Sequence, residues 1–162
     1  MDALETIRAI ESRPDFLRWK ESNPSAYLTS AFSMFSEGSS GDWLISFYNP
    51  DNDIMGTFSI NEAKSHEEPF SKEGSIPELV QKNVKISDEK ALDAASAEFR
   101  KSQGSEPVQK TIIVLQKLNA RELWNITFIT AAFKVVNIKV SASSGAVIDT
   151  SVNAITDFMK KD

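Results

Sequence analysis

The 162-residue sequence predicts an α+β fold made of two similar halves, each a helix followed by antiparallel strands. Three observations carry this. The run Trp43-Leu44-Ile45-Ser46-Phe47 returns 81 positions later as Trp124-Asn125-Ile126-Thr127-Phe128. Both runs alternate large apolar with small or polar side chains, the period of a half-buried strand. The likeness also extends upstream, where Phe16 and Pro24 lie 83 positions before Phe99 and Pro107. Self-similarity over such a span marks a repeated supersecondary unit.

The helices come first in each half. Leu4, Ile7 and Ile10 share a face, and Ser12-Arg13-Pro14-Asp15 then breaks and restarts the helix, because proline suits a first helical turn and not an interior. Phe16, Leu17 and Trp19 continue it. In the second half Ser87 is the expected N-cap, followed by Asp88 and Glu89 at the positive helix end. Ala91, Leu92, Ala95 and Phe99 form its apolar stripe.

Three strands are expected after each helix. In the first half they are Tyr27 to Phe35, the Trp43 run, and Gly56-Thr57-Phe58-Ser59-Ile60. In the second they are Lys110 to Gln116, the Trp124 run, and Val136-Asn137-Ile138-Lys139-Val140. Turn-forming stretches separate them: residues 37–42 and 49–53, and Leu118 to Glu122. The units are therefore placed at 1–63 and 84–162. Residues 64–83 form a linker: Lys64 to Gly74 reads as a polar loop, and Ser75-Ile76-Pro77-Glu78 has capping-box spacing for a short helix to about Gln81. Asp149 to Phe158 reads as a short terminal helix docking Ile155 and Phe158.

Composition narrows the functions. The chain has no cysteine, which removes disulfides, thiolate nucleophiles and thiolate metal sites. Formal net charge is -5, split as about -6 over residues 1–63 and about +2 over residues 84–162. Neither half has the clustered basic surface that nucleic acid requires. No segment is long and apolar enough to span a membrane. The start lacks a basic stretch followed by an apolar run, so the expectation is a cytoplasmic protein, or an exported one whose signal has been trimmed.

The second unit resembles the PepSY domain family. The resemblance rests on Ile86-Ser87-Asp88-Glu89-Lys90-Ala91-Leu92-Asp93-Ala94-Ala95, on Trp124-Asn125-Ile126-Thr127-Phe128, and on residues 136–148. That last stretch closes in a small-residue turn at Gly145, followed by Val147-Ile148; such a turn calls for a positive φ. The likeness covers about residues 84–150. The first unit matches only through its likeness to the second and lacks the closing Gly-x-Val-Ile. Where the family carries an acid before the turn, this chain has Ser141-Ala142-Ser143. The resemblance implies a cystatin-like α+β fold with no catalytic residues; with the repeat, the expectation is tandem cystatin-like units, each a helix packed on a three-stranded antiparallel sheet, with no cofactor. It also implies a protein or peptide partner, with peptidases as one class.

Candidate chemistry is sparse. His66, the one histidine, lies beside Glu67 and Glu68 without a second nitrogen or sulfur ligand, and reads as a solvated loop residue. Asp51-Asn52-Asp53 begins like a calcium loop but lacks its glycine and distant glutamate, and reads as a hairpin turn. Asn125-Ile126-Thr127 is formally a glycosylation site inside an expected strand. Trp43 and Trp124 read as packing residues, with an exposed groove as the alternative. Nine of the fifteen aromatics precede residue 64, as core or as a partner-binding patch.

No catalytic, metal or cofactor residue is assigned, and the binding residues are left unknown. The expectation is a non-enzymatic binding or regulatory protein, engaging a partner or a second copy through a strand edge or sheet face. The alternatives are a small-molecule site needing a polar group at the base of an apolar pocket, with weak enzymatic activity, and a structural assembly subunit.

Overall fold

The structure, a computed structural model, describes residues 1–39, 41–62, 65–70 and 76–155. Helix α1 spans Ala3–Glu11 and begins with a reciprocal cap: Glu5 N donates to Asp2 Oδ1 at 2.8 Å, and Asp2 N donates to Glu5 Oε2 at 3.1 Å. Ala3, Ile7 and Ile10 are buried. Helix α2, Pro14–Ser22, starts at the expected proline and buries Phe16 and Trp19. The break between them is held by Arg13. Its guanidinium takes both Asp15 oxygens, at 2.6 and 2.8 Å, and donates to the carbonyl of Ser59, the last residue of the third strand, and to Glu62 O just past it. Helix α3, Asp88–Gln103, has Ser87 as its N-cap and buries Ala91, Ala95 and Phe99.

Among the described residues, eight antiparallel strands form one sheet: β1 (Tyr27–Ser36), β2 (Leu44–Asn49), β3 (Ile54–Ser59), β4 (His66–Pro69), β5 (Val108–Leu118), β6 (Arg121–Thr130), β7 (Lys134–Ser141) and β8 (Val147–Ala154). Their order is β4-β3-β2-β1-β5-β6-β7-β8. Each half is thus a four-strand meander. The two meanders join through their first strands, with Phe32 opposite Val114 near the middle of the β1–β5 pairing. Ala31, Ile45, Phe47 and Phe58 on one side, and Leu115, Trp124, Ile126 and Ile138 on the other, point to the helix-covered face and belong to one buried core. On the opposite face Phe32, Ile112 and Val114 are half-buried, and Met34 is exposed.

Three expectations need correction. Each half contributes four strands, not three. The added strand of the first half is His66–Pro69, read as loop from its polarity; it pairs with β3, Thr57 opposite His66 and Ile54 opposite Pro69. Lys64 and residues 71–74 of that expected loop lie outside the described residues. The added strand of the second half is β8, which takes Asp149 to Ala154 out of the expected terminal helix, while Ile155 is helical. Its pairing with β7 runs from Val140–Val147 to Lys134–Ala154, so ladder hydrogen bonds replace the helical ones. Phe158 lies outside the described residues. The expected helix within the linker is absent over residues 76–80: Leu79 N donates to Leu28 O at 2.9 Å, and a single 3-10 turn forms at Gln81–Asn83. Ser75 also lies outside the described residues.

Other turns follow their chemistry. Leu118 and Arg121 pair across a two-residue hairpin in which Asn119 and Ala120 have φ of 49° and 66°, as a tight β-hairpin demands. Gly145 has φ of 79°, the positive value expected of it.

Candidate strand-addition edge

The residues singled out for chemistry are kept apart. His66 is exposed on β4, its Nε2 3.0 Å from Glu62 Oε2. Asp51 accepts from Ser25 Oγ at 2.6 Å, and Asp53 accepts from the Tyr48 hydroxyl at 2.6 Å. Their carboxylates therefore have separate partners, and no group of three or more potential metal ligands occurs among the described residues. Asp53 sits at φ 55°, a turn position that aspartate tolerates. Its bond holds the Tyr48 phenol up to a pKa of about 12. Asn125 and Thr127 lie within β6 on the open face, where Asn137 Nδ2 donates to both, at 2.6 and 2.9 Å.

Trp43 and Trp124 are both buried, as packing residues are. Trp43 is the residue before β2, and Trp124 lies inside β6. Trp124 Nε1 donates to Ile86 O at 3.0 Å. Trp43 does form one wall of a cavity of about 360 Å³, with Phe35, Leu92 and Ile113 as further apolar walls and Asp88 and Glu89 at the start of α3. Burial pushes the Asp88 carboxyl above its ordinary pKa.

The two outer strands of the sheet differ. β4 has four residues, His-Glu-Glu-Pro, all exposed. Short length, like charges and a proline are the devices that prevent an edge from pairing. β8 has eight residues, no proline and one charged residue, Asp149, which already faces Lys139 Nζ at 3.7 Å. Its apolar side chains Val147, Ile148 and Val152 are exposed, Val152 by 45%, and Phe133 in the β6–β7 turn is 62% exposed.

No family model matches this sequence, and no curated protein matches it. Among solved structures, a putative lipoprotein from Clostridium difficile 630 has a similar fold. Its TM-score is 0.58 at 14% identity, over 85% of this chain and 89% of that one. The likeness shows the fold across that span.

The β8 edge was missed in the sequence because Ile155 and Phe158 suggested helical spacing. The signal that finds it is Val147-Ile148 directly after the Gly145 turn, with Thr150 and Val152 continuing a β-branched strand. The same edge leads into a second cavity, of about 440 Å³, lined by Lys85, Arg121, Ser143, Ser144, Ala146 and Ile148 with neighbouring residues. No helix among the described residues is long and apolar enough to cross a membrane.

Proposed function

We propose that this chain is a non-catalytic binding protein of tandem PepSY-like, cystatin-like design, which takes an extended segment of a partner protein along β8. The observation that carries this is the unequal protection of the two edges. An unpaired strand presents a row of backbone donors and acceptors, and an incoming strand satisfies them while its side chains meet apolar neighbours. β8 offers that row beside Val147, Ile148 and Val152; β4 offers glutamates and a proline.

The tandem reading draws support from matched contacts. Phe16 packs on Phe47 with centroids 4.6 Å apart, and Phe99 on Phe128 at 5.1 Å. On the open face Ser46 pairs with Thr57 across β2 and β3, as Thr127 pairs with Asn137 across β6 and β7. The units proposed at 1–63 and 84–162 fit this matching once β4, at His66–Pro69, is counted with the first, and β1 and β5 occupy each other's outer edges. The PepSY resemblance makes a peptidase, restrained by occlusion, one partner class.

A random octapeptide library selected on the full chain tests the reading. Enriched peptides should lose binding to Val152→Lys and Ile148→Lys, and keep it with Glu67→Lys in β4. Undiminished binding to both β8 variants would exclude this edge. The cavity at Trp43 and Asp88 supports a second reading, a small-molecule site, which a metabolite co-purifying with the chain and lost on Leu92→Trp would favour.

A further inference from the structure

We propose that the strand received by β8 carries a carboxylate that seats between Lys85 and Arg121; this rests on the strand-addition reading of β8. The cavity at the amino-terminal end of β8 is continuous with the edge through Ala146 and Ile148, so a segment lying along β8 passes its mouth. Two cations line it, Lys85 and Arg121, both exposed. Neither has a carboxylate partner among the described residues. Glu122 lines the cavity too, but its carboxylate is already taken. It accepts from Val80 N at 3.3 Å and from Asn83 Nδ2 at 3.0 Å, and Lys117 Nζ lies 3.5 Å away. Among the described residues the cavity therefore keeps two positive charges without an acidic partner.

The serines beside these cations are arranged as a fixed polar wall. The Ser141 hydroxyl accepts from the backbone N–H groups of Ser143 and Ser144, both at 3.3 Å, and bonds the Ser143 hydroxyl at 3.0 Å. A guanidinium offers a planar fork that matches a carboxylate, and an ammonium adds a point charge. A carboxylate seated there fixes the register of the added strand, which the repeating backbone bonds of a sheet leave open. An acidic side chain and a peptide carboxyl terminus present the same chemistry.

The octapeptide selection, run on the full chain and on Lys85→Glu/Arg121→Glu, tests this. Peptides enriched on the natural chain should share an acidic residue at one fixed position, and the charge-reversed chain should enrich strand-forming peptides without it. A synthetic peptide with that residue changed from Asp to Asn should bind about tenfold more weakly to the natural chain and more tightly than its Asp parent to the charge-reversed variant, whose glutamates repel a carboxylate. If amidation of its carboxyl terminus has that effect instead, the terminal carboxylate is the seated group. Peptides that lose binding to Val152→Lys but show no acid preference overturn this inference and leave the edge reading standing. Peptides indifferent to Val152→Lys and Ile148→Lys overturn the edge reading itself.

Discussion

The indole of Trp43 lies 6.2 Å from that of Trp124, centroid to centroid, with ring planes inclined at 59°. Trp43 leads into β2 and Trp124 lies in β6, strands that β1 and β5 separate by roughly 14 Å on a flat sheet. Contact requires both rings to lean inward over the seam. Ala31, fully buried in β1 and opposite Leu115, contributes only a methyl group to that face. The two meanders are therefore fastened twice, by the β1–β5 ladder and by this pair above it.

Truncating either ring should cost about 3–5 kcal/mol, the usual range for a buried aromatic. Trp43→Ala and Trp124→Ala should together cost less than the sum of the single changes, because the first already removes the shared contact. Urea unfolding of the four chains of the double-mutant cycle measures the coupling; strict additivity would show that the rings do not support one another.

Gly56 occupies a core-facing position of β3, where the corresponding place in β7 holds Val136. A Cβ at Gly56 would lie 2.5 Å from Trp19 Cζ2 and 2.9 Å from Trp19 Cε2. Trp19 is itself wedged among Phe16, Phe47 and Phe58 and has little freedom to retreat. Gly56→Ala should destabilise by about 1–3 kcal/mol. Adding Trp19→Phe, which removes the crowded ring, should recover part of that loss in thermal unfolding.

Tyr48 should titrate late. Its hydroxyl donates to Asp53, and the phenolate would face that carboxylate, so its pKa rises from 10.0 to about 12. A group that holds its proton more tightly when folded favours the folded state below its unfolded pKa. That contribution falls as pH rises from 10 to about 12. Absorbance at the tyrosinate band follows the ionisation, and Asp53→Asn should bring the Tyr48 midpoint down.

Much of the architecture was legible where side-chain pattern and environment agree. The Trp43 and Trp124 runs, the β-branched β5, the Ser87 cap and the break at Pro14 all follow local rules that the fold obeys. β4 was not legible, because His-Glu-Glu-Pro has no apolar alternation; backbone pairing with β3 makes it a strand. β8 misled through Ile155 and Phe158, whose spacing suits a helix although Val147 to Val152 suits a sheet. The meeting of Trp43 with Trp124 was out of reach, since it depends on β1 pairing with β5, a contact between distant segments that periodicity does not encode. The cavity between Lys85 and Arg121 is likewise assembled from residues far apart in sequence.

Backbone hydrogen exchange with a selected octapeptide bound tests the strand-addition account most directly. Amides on the outer side of β8, from Ile148 to Asn153, should slow markedly while those of β4 keep their rates. Protection confined to β4 or to the Trp43 cavity, with β8 unchanged, would contradict it.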